Sequence, residues 1–225
     1  MTFMFLGQSG FHVRIGEHEL LIDPFLTGNP VGAAAESDFS PSYIVLTHAH
    51  GDHYGDTETI AKRSGCVVIS SPEVISYLGK GGVEGHPMNI GGGHDFPFGR
   101  LSSTPAWHSN SLPDGSYAGM PSGIVIEAEG KRVYHAGDTA LFSDMALIGQ
   151  KGLDLAFLPI GDNFTMGPAD AVEAVKLLRP KRVVPIHYNT FDLIKQDARA
   201  FADAVESQVP GTRCEVLEPG ESLEL

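Results

Sequence analysis

Residues 43–53 read Tyr-Ile-Val-Leu-Thr-His-Ala-His-Gly-Asp-His, an apolar strand running straight into four potential metal ligands. This pairing narrows what the chain can fold into, because the strand must be buried in a sheet while the loop at its end stays free to converge its ligands. His48, His50 and Asp52 alternate and His53 lies beside the last, so a bent loop can aim the first two at one ion and the last two at another. Gly51 predicts a sharp backbone turn where the ligands meet. A lone His-x-His is common on solvated loops, but this density behind a buried strand suggests a dinuclear metal site. Imidazole and carboxylate suit zinc first, with manganese, nickel or iron as alternatives.

The run Thr47-His48-Ala49-His50-Gly51-Asp52-His53 resembles the signature of the metallo-β-lactamase superfamily, whose sites are completed further along the chain. Candidates stand at or just after the ends of apolar runs: His108 after Thr104-Pro105-Ala106-Trp107, Asp138 after Val133-Tyr134, and His187 after Val183-Val184-Pro185-Ile186. The resemblance implies His48, His50 and His108 on one divalent ion, Asp52, His53 and His187 on the other, and Asp138 bridging. It narrows further through Leu21-Ile22-Asp23-Pro24-Phe25-Leu26, Gly28-Asn29-Pro30, residues 160–168 and residues 187–191, which are similar to the UPF0173 metal-dependent hydrolases. With Phe5-Leu6-Gly7-Gln8-Ser9 the likeness covers nearly the whole chain, and it extends more loosely to ascorbate-phosphate lactonases. One departure is visible: such sequences commonly carry Gly-His-Ser near the N-terminus, where this chain has Gln8, so a contact beside the metal site is expected to differ.

Composition bounds the alternatives. A chain of 225 residues can bury a large core, and the spread of the ligands from 48 to 187 favours a single hydrolase domain. The net charge of −13 offers no basic footprint for a nucleic-acid backbone. Two cysteines, Cys66 and Cys214, make no disulfide framework, and Cys66 reads as a buried thiol. The first six residues lack a basic flank and a long apolar core, so they read as a strand rather than a signal peptide. No run approaches membrane-spanning length, and the cytoplasm is the default location. The expected partner is a small-molecule substrate, without membrane or nucleic acid, and a homo-oligomer is left open.

Turn residues separate strand candidates at 4–6, 11–15 and 20–22. Residues 27–41, rich in Gly, Ala, Ser and Pro, read as a loop near the site mouth, and 108–121 as a second loop carrying His108. Helical spacing is predicted at 56–63, from Pro72, from Pro168 and at 193–205; strands are predicted at 67–70, 100–106, 123–128, 133–134, 155–160, 182–186 and 214–217. Residues between Gly79 and Gly93 read as irregular. The result is an α/β layered fold with sites at strand ends, and the resemblance makes it the four-layer αβ/βα sandwich of the metallo-β-lactamase type.

Two cations so held would supply a bridging hydroxide near neutral pH, with Asp52 and Asp138 as the carboxylates closest to the chemistry. Hydrolysis of an ester, lactone, amide or phosphodiester is the natural reaction class. Metallonuclease or phosphodiesterase action on nucleic acid, and a non-hydrolytic metal-binding role, are the alternatives. Asn163, Tyr188 and His135 are candidates for proton transfer or orientation, each with an ordinary structural reading, and Asp23 is a candidate partner for a ligand histidine. His12, His18, His86 and His94 are read as non-ligands.

Overall fold

Side chains along a strand alternate between its two faces, and in the inner strands both faces are apolar, so those strands must lie between two buried layers. In a computed structural model describing residues 1–225, the order is β1 (Thr2–Gly7), β2 (Gly10–Ile15), β3 (His18–Ile22), β4 (Tyr43–Val45), α1 (Gly51–Tyr54), α2 (Thr57–Ser64), β5 (Val67–Ser70), α3 (Pro72–Lys80) and β6 (Gly85–Pro87). There follow β7 (Gly93–Phe96), β8 (Gly99–Pro105), β9 (Ser122–Ala128), β10 (Lys131–His135), α4 (Met145–Gly149), β11 (Leu153–Pro159), α5 (Pro168–Leu178), β12 (Pro180–Ile186), α6 (Ala198–Gln208), β13 (Arg213–Cys214) and β14 (Ser222–Glu224).

The strands form two seven-stranded sheets, β14-β1-β2-β3-β4-β5-β6 and β13-β12-β11-β10-β9-β8-β7. Alternation distributes them over three cores. Phe3, Phe5, Leu20, Ile22, Val45 and Ile69 of the first sheet meet Ile124, Ile126, Val133, Leu155, Phe157, Val184 and Ile186 of the second. The intervening residues point outward: Leu6, Leu21, Ile44 and Val68 pack on Ile60, Val74 and Leu78 of α2 and α3. On the other side Val125, Tyr134, Ala156, Leu158 and Val183 pack on the buried faces of α4, α5 and α6. The layers therefore run helix, sheet, sheet, helix, as expected for the αβ/βα sandwich. No helix is long and apolar enough to cross a membrane.

Local chemistry sets the helix ends. Ser71 accepts from Val74 N ahead of Pro72 at the start of α3, Pro168 opens α5, and Gly65 ends α2 in the left-handed region (φ 70°). Asp56 precedes α2 without capping it, because its Oδ2 accepts from Leu26 N (3.0 Å) and Thr27 N (2.8 Å) and so pins residues 23–27 against the ligand helix.

Several sequence expectations need correction. Residues 85–87, read as irregular, are β6, and residues 93–96, where the sequence predicts no element, are β7; Gly-His-Pro and Gly-His-Asp-Phe carry almost no alternating apolar signal because they are sheet edges. The helix expected at 193–205 is a 3₁₀ turn at Asp192–Ile194 followed by α6, which Asp197 caps by accepting from Arg199 N and Ala200 N. The terminal strand predicted at 214–217 shrinks to β13, while the final strand, β14, pairs antiparallel with β1 through Leu223 opposite Phe3.

Candidate metal centre

All seven predicted ligands lie where strands run out. His48 follows β4, His108 follows β8, Asp138 follows β10 and His187 follows β12. Gly51 does not make the sharp turn expected of it. It opens α1 instead, so that His50 stands at the helix N-terminus and Asp52 and His53 leave its first turn. The left-handed glycine is Gly55 (φ 42°), where a Cβ would collide with the backbone of Pro24 and Phe25. The two sheets meet beneath the ligands at the β1–β2 turn: His187, itself left-handed (φ 55°), donates its N–H to Gln8 O at 2.7 Å.

The ligand atoms fall into two trios sharing a carboxylate. His48 Nε2 lies 3.0 Å from His50 Nδ1, which lies 3.3 Å from His108 Nε2. Asp52 Oδ2 lies 3.6 Å from His53 Nε2 and 3.5 Å from His187 Nε2. Asp138 faces both: Oδ1 is 3.3 Å from His53 Nε2, while Oδ2 is 3.0 Å from His187, 3.5 Å from His108 and 3.9 Å from His48. His48-His50-His108, Asp52-His53-His187 and His48-His53-Asp138 each bring three donor atoms within 4.8 Å of one another, close enough to surround an ion. His53 Nε2, His187 Nε2 and Asp138 Oδ1 are buried without a directed hydrogen bond. Lone pairs so crowded and so dry fit a cation, which would satisfy them all.

One buried carboxylate orients a histidine in each trio. Asp23 is fully enclosed and accepts from Thr47 N (2.8 Å), Thr47 Oγ1 (2.7 Å) and His53 Nδ1 (2.8 Å). Thr47 Oγ1, its proton committed to Asp23, accepts in turn from His48 Nδ1 at 3.0 Å. Both Nδ1 atoms therefore carry the proton, and both Nε2 lone pairs face the site. Gln8, standing where the family resemblance leads one to expect histidine, donates Nε2–H to Asp52 Oδ2 at 2.7 Å. This glutamine thus touches a predicted ligand directly. Spacing in sequence gave no signal for this contact.

Electrostatics divides the trios. Burial, reinforced by the His53 charge, pushes His48 well below its ordinary pKa, and burial also lowers His50 and His108. In the other trio burial works the same way but is outweighed: Asp138 and Asp23 raise His53 well above its ordinary value, and Asp138 raises His187 to about 9. Burial would raise Asp138 and Asp52, but the facing His187 and His53 hold both carboxyls below the usual range. Protein stripped with a chelator should therefore hold protons on His53 and His187 at pH 7 and must release them as metal enters. Since protons compete only below the raised pKa, affinity at this trio should climb with pH up to about 9. The His48-His50-His108 trio should load with less pH dependence. Calorimetric titration in buffers of different ionisation enthalpy measures the protons released; zero release at neutral pH would contradict the assignment.

Above the ligands lies a cavity of about 530 Å³ whose walls include His50, Asp52, His108, Ser109, Phe164 and Phe191. Residues 27–41 contribute nothing to these walls, contrary to the expectation that they border the mouth. They lie instead on the first sheet's helix side, where Ala34 and Phe39 pack beside Leu26. The walls that sequence reasoning missed are the loops carrying Phe164 and Phe191. Asn163 is an exposed turn residue at φ 41°, and Tyr188 packs beside the α4–α6 core with its hydroxyl pushed by burial to about 12. His135 is fully enclosed, with Nε2 on Ser9 O (2.9 Å) and Nδ1 accepting from Gly137 N (3.1 Å), and does not reach the cavity. His12, His18, His86 and His94 join neither trio, and Cys66 and Cys214 are buried free thiols.

Comparison with known proteins gives the family and the fold. The profile of the beta-lactamase superfamily domain matches residues 18–188. A metal-dependent hydrolase of the UPF0173 family from Thermus thermophilus is 54% identical over 221 residues, covering 98% of this chain and 97% of the relative. Another from Bacillus subtilis is 48% identical over 231 residues, covering both chains fully (100% each). The solved structure of a metallo hydrolase from Ignicoccus hospitalis superposes with a TM-score of 0.91 at 39% identity, covering 100% of this chain and 98% of that one. The chain belongs to the UPF0173 metal-dependent hydrolases of the metallo-β-lactamase superfamily.

Proposed function

We propose that the protein hydrolyses an ester, lactone or phosphodiester bond of a small molecule, with two divalent cations, zinc first, held by the two trios and Asp138. The observation that carries this reading is the Asp138 carboxylate facing imidazoles of both trios at 3.0 to 3.9 Å with no other partner for its Oδ1. Cations held there would lower the pKa of bound water to about 7 and would polarise the oxygen under attack. The chain's own residues do the rest. Asp52 stays ionised and lines the cavity, so it can accept a proton from water at the floor, and Gln8 fixes its orientation. Ser109, which also lines the cavity, can offer a hydroxyl to the substrate.

A panel of lactones, thioesters, phosphomonoesters and phosphodiesters, assayed with zinc, manganese, nickel and iron, tests this reading. The expected rate rises with pH through an apparent pKa of roughly 6 to 8 and then levels off. Exchanging the metal should shift that limb, and His135→Ala should not, because both ring nitrogens of His135 are occupied away from the cavity. A limb that ignores the metal and disappears with His135 would reject the mechanism. Asp52→Asn should lower turnover on the order of a hundredfold while shifting Tm by only roughly a few degrees. Equal losses of rate and fold would show that Asp52 acts structurally.

A further inference from the structure

Two phenylalanines stand open to solvent over the ligands, Phe164 at 53% exposure and Phe191 at 40%. Both are held there by backbone. Phe164 tops a tight loop in which Asp162 and Asn163 take left-handed conformations (φ 61° and 41°). Asp162 N donates to Met166 O and Met166 N to Thr139 O, each at 3.0 Å, which clamps the loop beside Asp138. Phe191 follows His187 by four residues; Asn189 N donates to Ile194 O (2.9 Å), Ile194 N to Phe191 O (3.1 Å), and the Phe191 ring lies 6.4 Å from Phe25. Phe164 is thus anchored to the segment that carries Asp138 and Phe191 lies in the one that carries His187, and neither fills a core. Presenting rigid apolar surface at a cavity mouth costs hydration unless a ligand covers it.

Charge points the same way. No lysine or arginine lines the cavity. The nearest cation on these loops by sequence, Lys195, is engaged with Asp192 at 2.7 Å. Charge on a substrate's reacting group could be met by cations in the trios, but a phosphate or carboxylate remote from the scissile bond would find no counter-charge and would face two aromatic rings.

Resting on the hydrolase reading above, we propose that the substrate is uncharged and apolar away from the bond that is cut, its aromatic or aliphatic group lying against Phe164 and Phe191. Matched probes test this. For hydrolysis the pair is γ-phenyl-γ-butyrolactone and the same lactone bearing a γ-carboxylate; for binding without turnover it is the corresponding γ-phenyl lactam and pyroglutamate. The metal-loaded protein should show kcat/KM higher for the phenyl lactone by about tenfold or more, and Phe164→Ala or Phe191→Ala should raise its KM about fivefold, the effect of losing a part-buried aromatic contact. In calorimetry on the metal-free protein at alkaline pH, where His53 and His187 no longer carry the charge that would attract a carboxylate, the phenyl lactam should bind more tightly than pyroglutamate and weaken by a similar factor in both variants. Preference for the carboxylate probes, or phenyl-lactam affinity indifferent to both substitutions, overturns the inference. If no metal supports hydrolysis of either lactone, ester-type hydrolysis fails, and the lactam titrations still decide whether the apolar wall selects ligands.

Discussion

Asp138→Ala is expected to reduce bound metal from about two ions per chain to fewer than one, because a bridging carboxylate offsets the charge of both cations at once. Losing partners that merely hydrogen-bond to metal ligands already costs about 10- to 100-fold, so removal of the shared ligand should lower hydrolysis by more than a hundredfold. The side chain is buried, and His53 and His187 face it at 3.3 and 3.0 Å. In the metal-free variant those imidazoles lose the main attraction that keeps them charged, so the His187 pKa should fall from about 9 toward or below its ordinary value. Elemental analysis reports the metal, and imidazole NMR titration reports the pKa. Full occupancy in a folded Asp138→Ala protein would show that Asp138 does not bridge. Asp138→Asn, which keeps the shape but halves the acceptors, should retain more fold than the alanine variant and still lose the second ion.

Why could Asp138 be found before any coordinates, and Phe164 not? Ligand chemistry restricts residue type, so His and Asp at the ends of apolar runs announce themselves, and the strands that deliver them bury both faces and read as continuous apolar segments. Period-two alternation then assigns those faces, as with Phe3 and Phe5 against Leu6, or Leu155 and Phe157 against Leu158. Edges escape this logic. β7 contributes only Phe96 to the apolar interior, and β14 only Leu223, so neither has a pattern to detect. Loop walls escape it too, since Phe164 and Phe191 in a sequence look like any core aromatic, and their exposure follows from the left-handed residues at 162, 163 and 189, chosen by tertiary contacts. Gly51 failed for a related reason. A glycine among ligands suggested a tight turn, but the close backbone approach fell four residues later, at Gly55. Asp23 lay between these extremes: its residue type suited a histidine partner, but that it serves both trios through Thr47 depends on the fold.

That dual service makes Asp23→Asn a second large perturbation. The carboxylate accepts three donors and offers none: Thr47 N–H on Oδ1, and Thr47 Oγ1–H with His53 Nδ1–H on Oδ2. Asparagine tolerates the left-handed backbone found here (φ 44°), so the main chain should accept the change. Its side chain cannot reproduce the bonds. If the amide oxygen takes the Oδ2 place, the NH₂ confronts Thr47 N–H, and a buried donor without a partner costs about 1–3 kcal/mol. If the oxygen turns to Thr47 N–H, the NH₂ faces Thr47 Oγ1 and His53 Nδ1, which must become acceptors. His53 then carries its proton on Nε2, pointed at Asp138 rather than offering a lone pair. Thr47 Oγ1, now free to donate, turns to His48 Nδ1 at 3.0 Å and moves that proton to Nε2 as well. One oxygen-to-nitrogen change would thereby remove a ligand atom from each trio, weakening both ions by about 10- to 100-fold. Nitrogen-15 imidazole spectra of the metal-free protein, taken at alkaline pH where His53 has shed its second ring proton, distinguish the two tautomers, and metal affinities read the consequence. Unaltered tautomers of His48 and His53 together with unchanged affinities would show that Asp23 only supports the fold.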